Sequence, residues 1–246
     1  MEITPIKVNL HGFKSENPNP RRQFLKMGGL AVISTGILLS CSNDDDTGFM
    51  EPDGVFDLGS GDLGILNYAY ALEQLEAAFY TMVMDGSYWM NSSAEEKLVL
   101  EDLYKHEVIH REFFKTAITA AVNGDQSKVL PELEFNFTSV DFGNRDSVLS
   151  TAKVLEDTGV AAYNGAGTFL QTPDYLIIAG KIVSVEARHA AAIRSLYADD
   201  PKAFAGDDVV NANGLDLAKP PSEILDAVGQ TGFIKTKFTA NQLPKE

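Results

Sequence analysis

Four separate stretches of this chain carry an apolar stripe at helical spacing, and each stripe is interrupted near its middle by one glutamate. Apolar residues recurring every three or four positions mark the face of an α-helix that turns toward a core. The first stripe holds Leu66, Tyr70, Glu73, Ala77, Tyr80 and Met84, and the second Leu100, Leu103, Glu107, His110, Phe114, Ala117 and Ala121. The third holds Leu149, Ala152, Glu156, Gly159, Tyr163, Ala166 and Leu170, and the fourth Ala179, Ile182, Glu186, His189, Ile193 and Leu196. Four such helices bury their stripes against one another, which predicts an all-α four-helix bundle. A lone buried carboxylate costs several kcal/mol, and four together repel. No Lys or Arg lies on the stripes, so protons or metal ions must supply the positive charge. Four Glu and two neutral His carry the charge that two divalent cations balance. One Glu from each of two helices and Glu-x-x-His from each of the other two is the ligand set of carboxylate-bridged di-iron and di-manganese bundles.

The connections set the topology. The first block runs from Asp62, read as an N-cap, to Asp85. Ser93 followed by Glu96 forms a capping-box pattern that opens the second block, which closes near Asn123-Gly124. The third runs from Asp146 to Leu170, and Thr172-Pro173 supplies an N-cap and first-turn proline for the fourth, ending near Tyr197. Short joins make hairpins of the first and second blocks and of the third and fourth. Helices of about 25 residues are about 38 Å long, and a linker of about 21 residues reaches about 70 Å when extended. Gly124 to Arg145 can therefore cross the whole bundle, giving one long crossover between helices two and three. Its Phe135, Phe137 and Phe142 are expected to pack on the outside, with no sheet beyond a short strand. Residues 62–200 read as the bundle. Residues 201–246 read as an irregular C-terminal extension draped over it, with a short helix near 222–229.

Depth is an independent check on the acidic set. Glu73 lies 12 residues before Asp85 and Glu107 lies 14 after Ser93, while Glu156 lies 14 before Leu170 and Glu186 lies 13 after Pro173. At ~1.5 Å per residue all four reach one level of the bundle. Glu73 with Tyr80 and Glu156 with Tyr163 share a Glu-x6-Tyr spacing, and Glu107-Val108-Ile109-His110 and Glu186-Ala187-Arg188-His189 are two Glu-x-x-His motifs. These motifs resemble those of the bacterioferritin and rubrerythrin relatives. The segment from Leu66 to Tyr80 is similar to the ferritin-like group that includes desiccation-related proteins. The resemblance implies a ferritin-like fold in which Glu107 and Glu186 bridge two metals, Fe or Mn. Glu73 and Glu156 are then terminal ligands, His110 and His189 bind one metal each, and Tyr80 and Tyr163 donate hydrogen bonds to carboxylates. Glu76 is the rival for Glu73, but it is not seven residues before a tyrosine. His106 points off the seam and is expected to be exposed. A redox centre acting on ferrous iron or hydrogen peroxide is implied, as ferroxidase or as catalase or peroxidase. The alternatives are a non-catalytic envelope lipoprotein for desiccation or stress tolerance and, third, iron storage. A single Cys rules out an intramolecular disulfide and a rubredoxin-type electron source.

The leading segment reads as an address. Arg21-Arg22-Gln23-Phe24-Leu25-Lys26 precedes an apolar run from Met27 to Leu39, short of the about 20 residues that span a membrane. The run resembles a twin-arginine translocation signal, and Leu38-Leu39-Ser40-Cys41 resembles a bacterial lipobox, though Leu39 stands where a small residue is usual. By that resemblance residues 1–40 are a signal peptide and Cys41 is lipidated. Residues 41–61 are then a tether with an acidic run at Asp44 to Asp46, and the protein is exported to the periplasm or cell surface and held on a membrane. The net charge is −15, and the leader's own excess of Lys and Arg leaves the remaining body more acidic still. Such a body repels nucleic acid. The expected partners are the membrane, a small oxidant (dioxygen or peroxide) and other copies of the chain in a homo-oligomer.

Overall fold

A computed structural model describes residues 54–198, 200 and 202–245. The twin-arginine segment, Cys41 and the acidic run at Asp44 to Asp46 lie outside the described residues. In chain order the elements are β1 (Phe56–Asp57), α1 (Gly61–Asp85), α2 (Ser87–Asn91), α3 (Ala94–Ala121), α4 (Arg145–Gly167), α5 (Pro173–Tyr197), α6 (Pro221–Thr231) and β2 (Phe238–Thr239). The four long helices α1, α3, α4 and α5 form the all-α bundle, and the strands form one short parallel pair. No described helix is long and apolar enough to cross a membrane.

Local chemistry explains most of the helix ends. Ser93 Oγ accepts from the Glu96 amide while the Glu96 carboxylate accepts from the Ser93 amide, the reciprocal cap predicted for α3. Asn144 caps α4 by accepting from Ser147 N, and Pro173 opens α5 where no amide donor is needed. Asp62 is not the N-cap of α1; Ser60 holds that place. The Asp62 carboxylate instead accepts from the amides of Gln171 and Thr172 at 2.7 and 2.9 Å, tying the α4–α5 turn to the start of α1. The loop expected between the first two blocks winds into α2.

The crossover runs the length of α1. Asn67 donates to the carbonyls of Leu58 and Lys128 and accepts from Leu130 N. Two turns on, Gln74 donates to Pro131 O and accepts from Leu133 N. Farther along, Phe137 packs on Phe79, and the Phe142 carbonyl accepts from Tyr88 N. Helix α4 thus begins at the end where α3 begins, and Arg145 of α4 pairs with Glu96 of α3 at 2.7 Å. Helix α1 is consequently buried on every side from Gly64 to Ala77, broader than the single stripe predicted, because the crossover covers its outer face.

The tail is strapped down by specific bonds. Arg194, 3% exposed, makes paired hydrogen bonds to Asp157 of α4 and to Asp208 of the tail. Lys219 N donates to Ala161 O at 3.0 Å, so close to α4 that a Cβ on Gly165 would overlap the Lys219 carbonyl. The chain then returns to pair β2 with β1, where buried Asp57 accepts from Gly59 N, Thr239 Oγ1 and Asn241 N.

Candidate metal centre

The four stripe glutamates meet in the middle of the bundle, and all four are 0% exposed. Glu73 comes from α1, Glu107 and His110 from α3, Glu156 from α4, and Glu186 and His189 from α5. They form two groups of four donors. Glu73, Glu107, His110 and Glu186 make one and Glu107, Glu156, Glu186 and His189 the other, with the donor atoms of each within 4.8 Å of one another. Glu107 and Glu186 belong to both. His110 Nδ1 lies 2.8 Å from Glu186 Oε1 and 3.4 Å from Glu73 Oε2. In the other half His189 Nδ1 lies 2.8 Å from Glu107 Oε1 and 3.5 Å from Glu156 Oε2. The tyrosines cross between halves: Tyr80 donates to Glu156 Oε1 at 2.6 Å, and Tyr163 donates to Glu73 Oε1.

Despite these short separations, the facing atoms are not hydrogen-bonded. Glu73 Oε2, Glu156 Oε2, both oxygens of Glu107 and of Glu186, and Nδ1 of each histidine are buried without a hydrogen-bond partner. Carboxylate oxygens and imidazole nitrogens converge here without hydrogen-bond geometry between them, an arrangement too costly to persist without protons or cations at their common focus. No Lys or Arg among the described residues forms an ion pair with these glutamates, and the buried Arg194 is held by Asp157 and Asp208. Burial, with Glu186 beside it, pushes the Glu107 carboxyl up to about 8 against the opposing pull of His110 and His189. Burial raises Glu186 as well, but His110 and His189 outweigh it and hold this carboxyl down at about 2. Burial likewise opposes charge on the imidazoles. The carboxylates around them prevail and raise both His110 and His189, with Glu73 foremost for His110 and Glu156 for His189. Protons shared on this cluster would compete with any metal ion for the same atoms.

Two residues take places the sequence pattern did not predict. His106 is half-buried rather than exposed: its ring stacks on His189 with centroids 5.2 Å apart, and its Nδ1 lies 2.9 Å from His189 Nε2. One residue before Glu107 is about 100° around the helix, which turns His106 into the groove between α3 and α5. Stripe reading finds only residues that face the seam, so it misses a partner that meets a ligand from behind. Glu76, set aside in favour of Glu73, is also buried at this level, 3% exposed.

A four-helix bundle with a full-length crossover and a central ring of Glu and His able to hold metal ions defines a ferritin-like class of protein. Residues 61–199 match the family described as the ferritin-like domain, and the chain belongs to that family. No curated protein matches it.

Proposed function

We propose that this protein holds two metal ions, Fe or Mn, in the two donor groups, and that the centre acts on ferrous iron or hydrogen peroxide. The observation that carries this reading is the pair of four-donor groups sharing Glu107 and Glu186, whose facing atoms are buried and unpartnered. Glu73, Glu107, His110 and Glu186 would hold one ion and Glu107, Glu156, Glu186 and His189 the other. Two such ions, when bound, would supply redox chemistry toward dioxygen or peroxide. The chain's own part is positional. Tyr80 and Tyr163 engage Oε1 of Glu156 and Glu73 and leave Oε2 of each free to face inward. His106 holds the outer nitrogen of His189 and so fixes which nitrogen faces the centre. Water is excluded on nearly every side, and His110, with 12% of its side chain exposed, is the least covered member and marks the approach for an oxidant.

The reading extends to the leader: the protein is exported and held on a membrane by lipidated Cys41, in the periplasm or at the cell surface. The acidic body supports a small-molecule partner and argues against nucleic acid. Metal analysis after anaerobic reconstitution tests the centre. Two Fe or Mn per chain is the expected result, and less than a single ion per chain overturns it. Oxygen evolution from peroxide and the rate of ferrous oxidation test the reaction; if loaded protein does neither above buffer, the non-catalytic envelope role replaces it. Cys41→Ala should move the protein out of the membrane fraction of its own cells, and retention there refutes the tether.

A further inference from the structure

Between the α4–α5 hairpin and the tail strapped to it lies a cavity of about 380 Å³. That is far larger than the packing voids of a protein interior and falls within the about 300–1,000 Å³ of small-molecule sites. Asp157, Ala187 and Ala190 line it, and each follows a glutamate or histidine of the centre by one place, so the cavity sits at the centre's level of the bundle. The two helices make the space by presenting small side chains, Ala161, Ala187, Ala190 and Ala191. Phe204 and Leu217 line it from the tail while 55% and 38% exposed, which puts two large apolar side chains at its opening. The polar groups decide what such a site can take. Arg194 has all five of its N–H donors committed: Nε and Nη2 to Asp157, Nη1 and Nη2 to Asp208, and Nη1 also to Ala203 O. Lys219 Nζ is held by Glu223 at 2.6 Å. Acceptors are in excess. Asp157 and Asp208 share one guanidinium, Lys153 reaches Asp208 only at 3.5 Å, and Asp216 forms no ion pair among the described residues. Asp157, Asp208, Asp216 and Glu223 set against Arg194, Lys153 and Lys219 leave one negative charge.

We propose that this cavity is a binding site for a small amphipathic amine, with its apolar body against the alanines and its ammonium toward Asp157, Asp208 and Asp216. An ammonium brings three donors and no acceptor, which suits a wall whose cationic donors are committed and whose acceptors are not. A carboxylate or phosphate of the same shape finds no uncommitted cation there, and a neutral molecule leaves the surplus charge unbalanced. The ring of Phe204 at the opening adds attraction for a cation. The inference is independent of the two-metal reading, since none of these residues belongs to the two donor groups.

Calorimetric titration of the full chain with three probes of similar shape, 2-phenylethylamine, 2-phenylethanol and 3-phenylpropanoate, tests this. The amine should bind once per chain with a Kd of about 1 mM or tighter, and at least about tenfold tighter than the alcohol or the carboxylate. Titrations in EDTA and in excess Mn(II) separate the cavity from the metal centre, and the Kd for the amine should agree between them within about twofold. Ala191→Phe fills the cavity and keeps every charge, and should weaken the amine by about tenfold or more. Asp216→Asn, at an exposed position, keeps the shape and removes the surplus charge, and should weaken it by about threefold or more. Bound amine should also slow amide exchange in residues 202–219. No saturable binding of the amine, equal binding of all three probes, or an unchanged Kd in either variant overturns the proposal. Binding that appears only in EDTA assigns the amine to the glutamates of the centre and overturns it too, leaving the two-metal reading standing.

Discussion

Removing the metal should reverse the sign of the protein's pH dependence. In chelated protein, burial keeps the Glu107 carboxyl near about 8, so from about pH 5 to about pH 7 the folded state holds a proton that an unfolded carboxyl has already released. Stability therefore falls as pH rises, at ~1.4 kcal/mol per unit per proton, or about 2.7 kcal/mol for Glu107 across two units. Glu76 and Glu156 are also raised by burial and act in the same direction. His110 and His189 are raised too; their contribution is complete below the unfolded histidine value of about 6.5 and is lost above it. Glu186 has the opposite sign, but its stabilisation is already complete above about 4.5 and disappears only toward about 2, outside this window. Each kcal/mol moves Tm by about 2–4 °C in a domain of this size, so chelated protein should melt about 5–10 °C lower at pH 7 than at pH 5. Metal-loaded protein should do the reverse, because the ligands bind deprotonated and affinity rises with pH. Circular dichroism melts in EDTA and in excess Mn(II) measure both curves. A chelated Tm that is flat or rising over this interval refutes the account of the buried carboxylates, and parallel curves with and without metal refute their role as ligands.

His106→Ala should leave the fold intact and weaken metal binding about tenfold through the freed His189 ring, measured by competition with a chromogenic chelator; unchanged affinity refutes the positioning role. Arg194→Met removes hydrogen bonds to Asp157 and Asp208, whose carboxylates can return to water, so a loss of about 2 kcal/mol in urea unfolding is expected. Amide exchange should accelerate in residues 202–219 before it does in the bundle, and uniform exchange refutes the clamp. Asn67→Leu leaves the buried Leu130 amide without its acceptor, costing about 1–3 kcal/mol. Because this contact lies at one end of the crossover, metal stoichiometry should be unaffected.

The buried cluster of Glu and His was legible in the sequence because its cost is so unusual. A glutamate in an apolar stripe is a local anomaly, and four at matching depths with two Glu-x-x-His spacings leave few alternatives to metal or protons. Tyr80 and Tyr163 came from the resemblance, which implied donors to carboxylates; that each reaches the glutamate of the other helix is visible only once the bundle is packed. What escaped were residues whose role exists only between elements. Asn67 and Gln74 recur seven apart on the outer face of α1, off the predicted stripe, and the crossover that buries them arrives from about 60 positions away. Arg194 reads as a basic residue closing a helix, and nothing nearby announces Asp157 or Asp208. Asp62 has good N-cap chemistry, yet it serves the turn before α5 rather than its own helix, since capping preference does not say which helix end will lie within reach. Glu76 is the instructive case. The rule that favoured Glu73, a tyrosine seven residues on, separates the two glutamates by one partner and carries no information about whether the second is buried. A Cβ at Gly159, 83 residues later, would lie 3.0 Å from Glu76 Oε1, and so close an approach can be read only once the helices are packed together.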